Sequence, residues 1–523
     1  MQNAATLVAA FCIGLTVSST LEAATPAGNR ASAMEPTAPQ IVVNLSPIAN
    51  FAYQLDCISG WLRSCGGRDD YVALWRDRFG VDPDRSADVS VWRAAFTGSQ
   101  DLLIRARIAS FEAKSVDDYL RRIEVLFPPA SARRVRAITY AHYPAFLRWW
   151  RTSNGAARER RVQAFRDALR APTIAGELPR LYRFFAVRDT ATRELDLELF
   201  YRPTMGALPF TTGEYLGDDW SVAEFGPTED LANRLGVVLH EYTHYVYSKM
   251  PADERHALGK SIVDADPVHG TAMWGLFNEA IATAVGNGRI YRSLAPTGAW
   301  QAMLARKRSF YSDEPVDAAS KAILPLVDTT LDVGGTVTAP AFAKAYDAAL
   351  DAHLATLWQA PSLVLSEFRA LADDRLDKSI LTYAIRTFHA HSVWYDAKPC
   401  CGAPFAQWWR DSGGSSRVVV IHKEHATQSP LLDAATAACL AARPDHQAGY
   451  VITRNGEWTD IVVVASEESA RTAIDSIARM PALEPGTYFV SSHQGDAAAA
   501  TGCAKAASVT PAEAGDVPSV QHP

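Results

Sequence analysis

Cysteine is scarce in this chain, 7 among 523 residues, and no two stand in a CxxC pair. A cysteine-built zinc finger or a thioredoxin-like redox site needs that spacing, so both are excluded. Beyond the first twenty positions the sequence has no uncharged apolar run of the ~18 residues that a membrane-crossing helix requires, and no integral membrane segment is expected in the mature chain. Positive charge is not in excess either: Lys and Arg number 51 against 58 Asp and Glu, a formal charge of -7. A polyanion-binding role is therefore not expected, nor is nucleic acid as a partner. There is no internal repeat and no G-x-S-x-G of the serine hydrolases. Gly259-Lys260-Ser261 resembles the end of a phosphate-binding loop, but Glu254 stands where its first glycine is required.

What the chain does have is apolar material, 48% of its residues, enough for more than one core. Its first segment carries an uncharged, mostly apolar run from Ala4 to Val17, and no charged side chain precedes Glu22. Residues 1–23 read as a signal peptide, so the protein is expected to be exported, periplasmic or secreted. Phe11 before Cys12 argues against a lipid anchor. Removing the segment leaves six cysteines, Cys57, Cys65, Cys400, Cys401, Cys439 and Cys503, an even number that suits disulfides in an oxidising compartment. Cys57 with Cys65 is the simplest local bridge, and Cys503 could tie the tail to Cys439. The sequence does not indicate an oligomeric state.

The expected organisation is α+β. Residues 24–50 read as a linker, and 51–189 as a helical region with apolar residues at three- and four-residue spacing. Its Arg-rich stretch from Arg133 to Arg170, with Trp149 and Trp150 inside it, reads as a solvated helical face whose stems pack on the core. Glu194-Leu195-Asp196-Leu197-Glu198-Leu199-Phe200-Tyr201 alternates with a period of two, the pattern of a half-buried strand, and a second strand is expected near Ala207 to Tyr215. Helices should then dominate from Thr228 to about Trp409. Over 415–493 the order strand, helix, two strands, helix, strand predicts a split βαββαβ, ferredoxin-like domain, followed by a flexible tail over 494–523.

Chemistry is concentrated in Leu239-His240-Glu241-Tyr242-Thr243-His244, an H-E-x-x-H motif on an apolar helix. Residues four apart on a helix lie on one face, about 6 Å apart along the axis, so two imidazoles can share one metal. Glu241 can then act on a water acidified by that metal. A random chain of this composition shows the motif with roughly 2% probability, and Asp230 or Thr228 supplies a cap at the helix start. A catalytic zinc takes three protein ligands and keeps one position open. The candidate third ligand is Glu279, 35 positions beyond His244 in Trp274-Gly275-Leu276-Phe277-Asn278-Glu279-Ala280-Ile281-Ala282-Thr283.

H-E-x-x-H followed some tens of residues later by N-E-x-x-A resembles the gluzincin group of zinc metallopeptidases. The resemblance covers about 50 residues. It implies a mostly helical zincin-like catalytic domain, over 190–412, with Zn2+ held by His240, His244 and Glu279 and with Glu241 as general base. It also implies a peptide or protein substrate laid along an edge strand upstream of the motif. Thr283 stands where some members have an acidic residue, which leaves the support of a metal-bound histidine unassigned. The three-His arrangement fails, because Tyr247 and Met250 occupy its further positions. His269, Asp264 and Asp266 remain rival third ligands. For the group that stabilises the oxyanion, Tyr346, Tyr383, His389 and His391 are all eligible. The resulting expectation is an exported zinc metallopeptidase; the alternative is a non-peptidase or inactive relative in which zinc stabilises a binding module.

Overall fold

Gln40-Ile41-Val42-Val43-Asn44 is short and rich in β-branched residues, and it forms a strand, β1 (Gln40–Asn44), rather than the end of a linker. The next helix, Pro47–Ile58, starts on Pro47 with Ser46 as its cap: the Ser46 hydroxyl accepts the Ala49 N–H at 3.2 Å. The linker expected over 24–50 is thereby corrected from residue 40 onward. The computed structural model describes residues 40–492, apart from 60–64, 66–67, 97–98, 154, 189–193, 204–211, 218, 228–229, 355–360 and 413. The expected signal peptide, the 494–523 tail, Cys503, Thr228 and residues 207–211 of the expected second strand lie outside the described residues.

The fold is mixed α/β, mostly helical, with two mixed sheets. Most of the described residues from Pro47 to Phe184 are helical and pack around Phe51, Trp75 and Phe146. Cys57 and Cys65 are bonded to each other at the end of the first of these helices. The arginines between 133 and 170 do more than face solvent. Arg158 is buried with its guanidinium 4.0 Å from the Trp150 ring and donates to the Ser153 and Trp150 carbonyls, while Arg166 donates to the Val43 carbonyl of β1 at 2.9 Å.

The first sheet has the order β1, β2 (Glu194–Tyr201), β4 (Trp220–Phe225), β3 (Gly213–Gly217). β1, β2 and β4 run parallel, and β3 is an antiparallel edge. β2 was expected to be half-buried, yet it is buried on both faces from Leu197 onward, as a central strand between β1 and β4. Its acidic residues are met in place: Asn44 donates to Asp196 at 2.8 Å, and the Ser46 N–H to Glu198 at 2.5 Å.

The second sheet has six strands in the order β10 (Gly486–Ser491), β8 (Gln447–Asn455), β9 (Trp458–Ala465), β7 (Arg417–His422), β5 (Glu367–Asp373), β6 (Ser392–Lys398). β6, β5, β7 and β9 are parallel; β8 is antiparallel to β9 and β10. The element order expected over 415–493 is present, but the ferredoxin-like pairing is not. In that arrangement the last strand closes on the first, whereas here β10 pairs with β8 and the free edge of β7 is taken by β5. β5 and β6 also correct the expectation that helices dominate to about Trp409. β5, Glu-Phe-Arg-Ala-Leu-Ala-Asp, is covered on both faces, so its residues lose the alternation that marks an exposed strand. Ile380, Leu381 and Ile474 pack on one face of this sheet and Phe405 on the other. Among the described residues no helix is long and apolar enough to cross a membrane.

Candidate metal centre

The helix Leu231–Ser248 begins at Asp230, whose carboxylate accepts the Ala232 N–H at 3.1 Å. It is buried along most of its length, so His240, Glu241 and His244 project into the protein interior at 6–8% exposure. A second buried helix, Gly270–Thr283, delivers Glu279. The two elements approach closely where Gly236 meets Gly286, in the π-helical turn Ala284–Ile290 that follows the second helix. A Cβ on Gly286 would lie 2.2 Å from the Gly236 carbonyl oxygen and 2.6 Å from the His240 nitrogen. Glycine is therefore what lets the Glu279 segment come within ligand distance of the two histidines.

The Nε2 atoms of His240 and His244 are 2.9 Å apart, and they lie 3.5 and 3.6 Å from the two carboxylate oxygens of Glu279. These separations are close to the edges of a tetrahedron with metal bonds of about 2.0–2.2 Å. Burial works against charge on Glu279, but His244 and His240 outweigh it and hold its carboxyl well below the usual range. Glu279 Oε2 is nonetheless buried with no hydrogen-bond partner. An orphaned carboxylate oxygen facing two imidazole nitrogens fits a divalent cation.

Both histidines are oriented from behind. His244 Nδ1 lies 3.0 Å from Asn278 Oδ1, and Asn278 in turn donates to Glu367 of β5 at 3.2 Å. His240 Nδ1 is 3.4 Å from the hydroxyl of Thr283, the residue standing where an acidic side chain was sought. An Nδ1–H held in this way leaves Nε2 with its lone pair toward the centre.

Glu241 sits beneath the edge strand β3. Burial, with the carboxylates of Glu279 and Glu214 nearby, pushes its pKa up to about 8, against the pull of His244 and the Tyr215 backbone amide. A Cβ on Gly213 would lie 2.6 Å from Glu241 Oε1, so the strand passes directly over the carboxylate.

Comparison with family models, curated proteins and solved structures finds no match to this chain.

The rival ligands are engaged elsewhere. Asp264 pairs with Lys260 at 2.6 Å and His269 with Asp266 at 2.8 Å, away from His240. Tyr346 donates to the Met273 carbonyl within the core, and Tyr383 to Asp475 on the helix Glu467–Ala478. His391 reaches the centre. It sits at the entry to β6 after a turn in which His389 takes a positive φ of 54°, and it lies 3.5 Å from Asp313. Burial would lower its pKa, but the hydrogen bond to Asp313 and the field of Glu279 raise it.

Sequence reasoning missed Tyr311. Its ring stacks on His240 with centroids 6.0 Å apart and meets His391 edge-on at 5.4 Å. Burial, then the charges of Glu279 and Glu241, keep its hydroxyl protonated to well above the ordinary range. Its loop is pinned by Asp317, which accepts backbone N–H groups from Arg308, Ser309 and Phe310 at 2.7–2.9 Å. Only its place two residues before the helix cap Asp313 marked it in the sequence.

Proposed function

We propose that this chain is an exported zinc-dependent metallopeptidase of gluzincin type, with a zincin-like core formed by the first sheet and the helices Leu231–Ser248 and Gly270–Thr283. One observation carries the reading: His240, His244 and the orphaned Glu279 carboxylate converge on one point, with a further carboxylate, Glu241, directly beside them. Zinc bound there by His240, His244 and Glu279 supplies a Lewis acid for the scissile carbonyl and acidifies water.

The chain's own residues supply the rest. An extended substrate adds alongside β3, an edge strand in the described residues, which brings its backbone over Glu241. Glu241, whose carboxylate a cation held beside it would keep ionised, takes a proton from the attacking water and carries it to the departing amine. Tyr311, stacked on His240 and held protonated, and His391, which Asp313 holds toward its cationic form, donate to the developing oxyanion. Three ligands with a base alongside favour a catalytic site over a structural one, which closes its coordination with four.

Digestion of a diverse peptide mixture, read by mass spectrometry, tests this on wild type and Glu241→Gln, each first shown to hold zinc. Cleavage by wild type alone is the expected result. Equal cleavage by both proteins would overturn the role of Glu241. Zinc in both with cleavage by neither would favour the binding-module alternative.

A further inference from the structure

A second cluster of ligating side chains lies in the six-stranded sheet, at its far end from the first centre. The chain leaves β5 toward β6 on one side and then crosses to β7 on the other, so the strand order reverses between β5 and β7. In open parallel sheets, the crevice at the carboxyl ends of the strands at such a reversal is where ligands bind. Asp373 is the last residue of β5, with its carboxylate fully buried. Its Oδ1 accepts the Arg375 N–H at 3.2 Å, and its Oδ2 accepts the His422 N–H at 3.2 Å and lies 2.6 Å from His425 Nδ1. The Arg375 guanidinium is turned away to Glu424, so the side chain that meets Asp373 is the His425 imidazole. Cys400, in the turn after β6, completes the group: one ligand atom each from Asp373, Cys400 and His425 all lie within 4.8 Å of one another. Cys400 is bonded to its neighbour Cys401, and both pack on the apolar floor formed by Leu371, Phe405 and Ile421.

We propose that Asp373, Cys400 and His425 form a metal site for a borderline divalent cation such as Zn2+, and that reduction of the Cys400–Cys401 pair opens it. One thiolate, one imidazole and one carboxylate, with a fourth position to solvent, is a donor set that suits such an ion. Bonds of about 2.0–2.3 Å place ligand atoms some 3.3–3.8 Å apart, so the 2.6 Å contact between His425 Nδ1 and Asp373 Oδ2 opens as the ion enters, while all three groups already lie within 4.8 Å of one another. The amides of Arg375 and His422 already fix the Asp373 carboxylate, as the supporting contacts of a metal ligand do. While the pair is oxidised, the Cys400 sulfur has no thiolate to offer. A dithiol or phosphine reductant transfers two electrons to the disulfide; two protons are taken up, two thiols form and the reductant is oxidised. Metal binding then displaces the proton of the Cys400 thiol.

Cobalt(II) is the probe, because thiolate-to-cobalt charge-transfer absorption reports sulfur ligation and the His240 centre contains no sulfur. In the full chain, Cys401→Ala frees Cys400 without any reductant. This variant is expected to develop the band on cobalt addition, and wild type to do so only after reduction by a phosphine. Adding Cys400→Ser to Cys401→Ala should abolish the band, and adding His425→Ala should weaken cobalt binding tenfold or more. The proposal is overturned if neither Cys401→Ala nor reduced wild type shows the band, or if the band survives loss of Cys400. Wild type and Cys401→Ala serve as independent arms should either one misfold.

Discussion

The region up to about residue 354 and the region from β5 to β10 contribute to the same centre in different ways. The first supplies His240, Glu241, His244 and Glu279 from two buried helices, where the helical period sets the spacing. The second reaches in with Glu367, at the start of β5, and with His391, at the entry to β6; neither belongs to a motif. The two histidines are spaced by the period of one helix, and Glu279 comes from the second helix together with Asn278 and Thr283, which meet the histidines from behind. Glu367, which holds Asn278, and His391 arrive from a separate sheet and follow no local spacing.

Four substitutions sharpen or break this contrast. Tyr311→Phe has the largest expected effect, since it removes the hydroxyl while leaving the ring stacked on His240. Turnover on peptides should fall about 10²–10³-fold with zinc content unchanged, and a fall confined to KM would contradict the assignment. Glu367→Ala tests whether the second sheet supports the first region's ligand. Freed from Glu367, Asn278 holds His244 less well, and zinc affinity measured by competition with a chelator should drop about 10–100-fold. An unchanged affinity would reduce the role of β5 to packing. Gly286→Ala places a methyl against the Gly236 carbonyl and His240, and thermal or denaturant unfolding should show a loss of about 1–3 kcal/mol together with weaker zinc binding.

Glu198→Gln, far from either cluster, probes pH rather than chemistry. Burial, opposed by the Ser46 amide, pushes the Glu198 carboxyl up to about 8 from an ordinary value of 4.5. Through that window the folded chain holds a proton that the unfolded chain has released, so stability must fall as pH rises from about 4.5 to about 8. Glutamine cannot titrate and should remove that slope, making the variant more stable than wild type at pH 8 by a margin on the order of a few kcal/mol and nearly equal to it at pH 4.5. Parallel stability curves for the two proteins would show that Glu198 is not held protonated.

The helix of the His-Glu-x-x-His motif, its Asp230 cap and the strands at 194–201 and 417–422 were legible because each is governed by a local period or a cap. Glu279 stood out as an acidic residue on a second apolar helix, and the N-E-x-x-A resemblance singled it out further. β5 was not legible, since a strand buried on both faces carries no alternation, and neither was β6, the strand that pairs with it at the sheet edge. The ferredoxin-like arrangement was misread for a related reason: insertion of β5 beside β7 joins segments whose adjacency leaves no mark in the local sequence. The same holds for the supports of the centre. Asn278 and Glu367 are 89 positions apart, and Tyr311 reaches His240 through a loop that Asp317 shapes by accepting backbone amides.

The most direct test is X-ray absorption spectroscopy on the zinc-loaded, oxidised protein, combined with metal analysis of wild type and Glu279→Ala. One zinc per wild-type chain, coordinated by nitrogen and oxygen alone with two imidazoles, and lost or greatly weakened in Glu279→Ala, is the predicted result. Sulfur in the coordination shell, or equally tight zinc without Glu279, would contradict it.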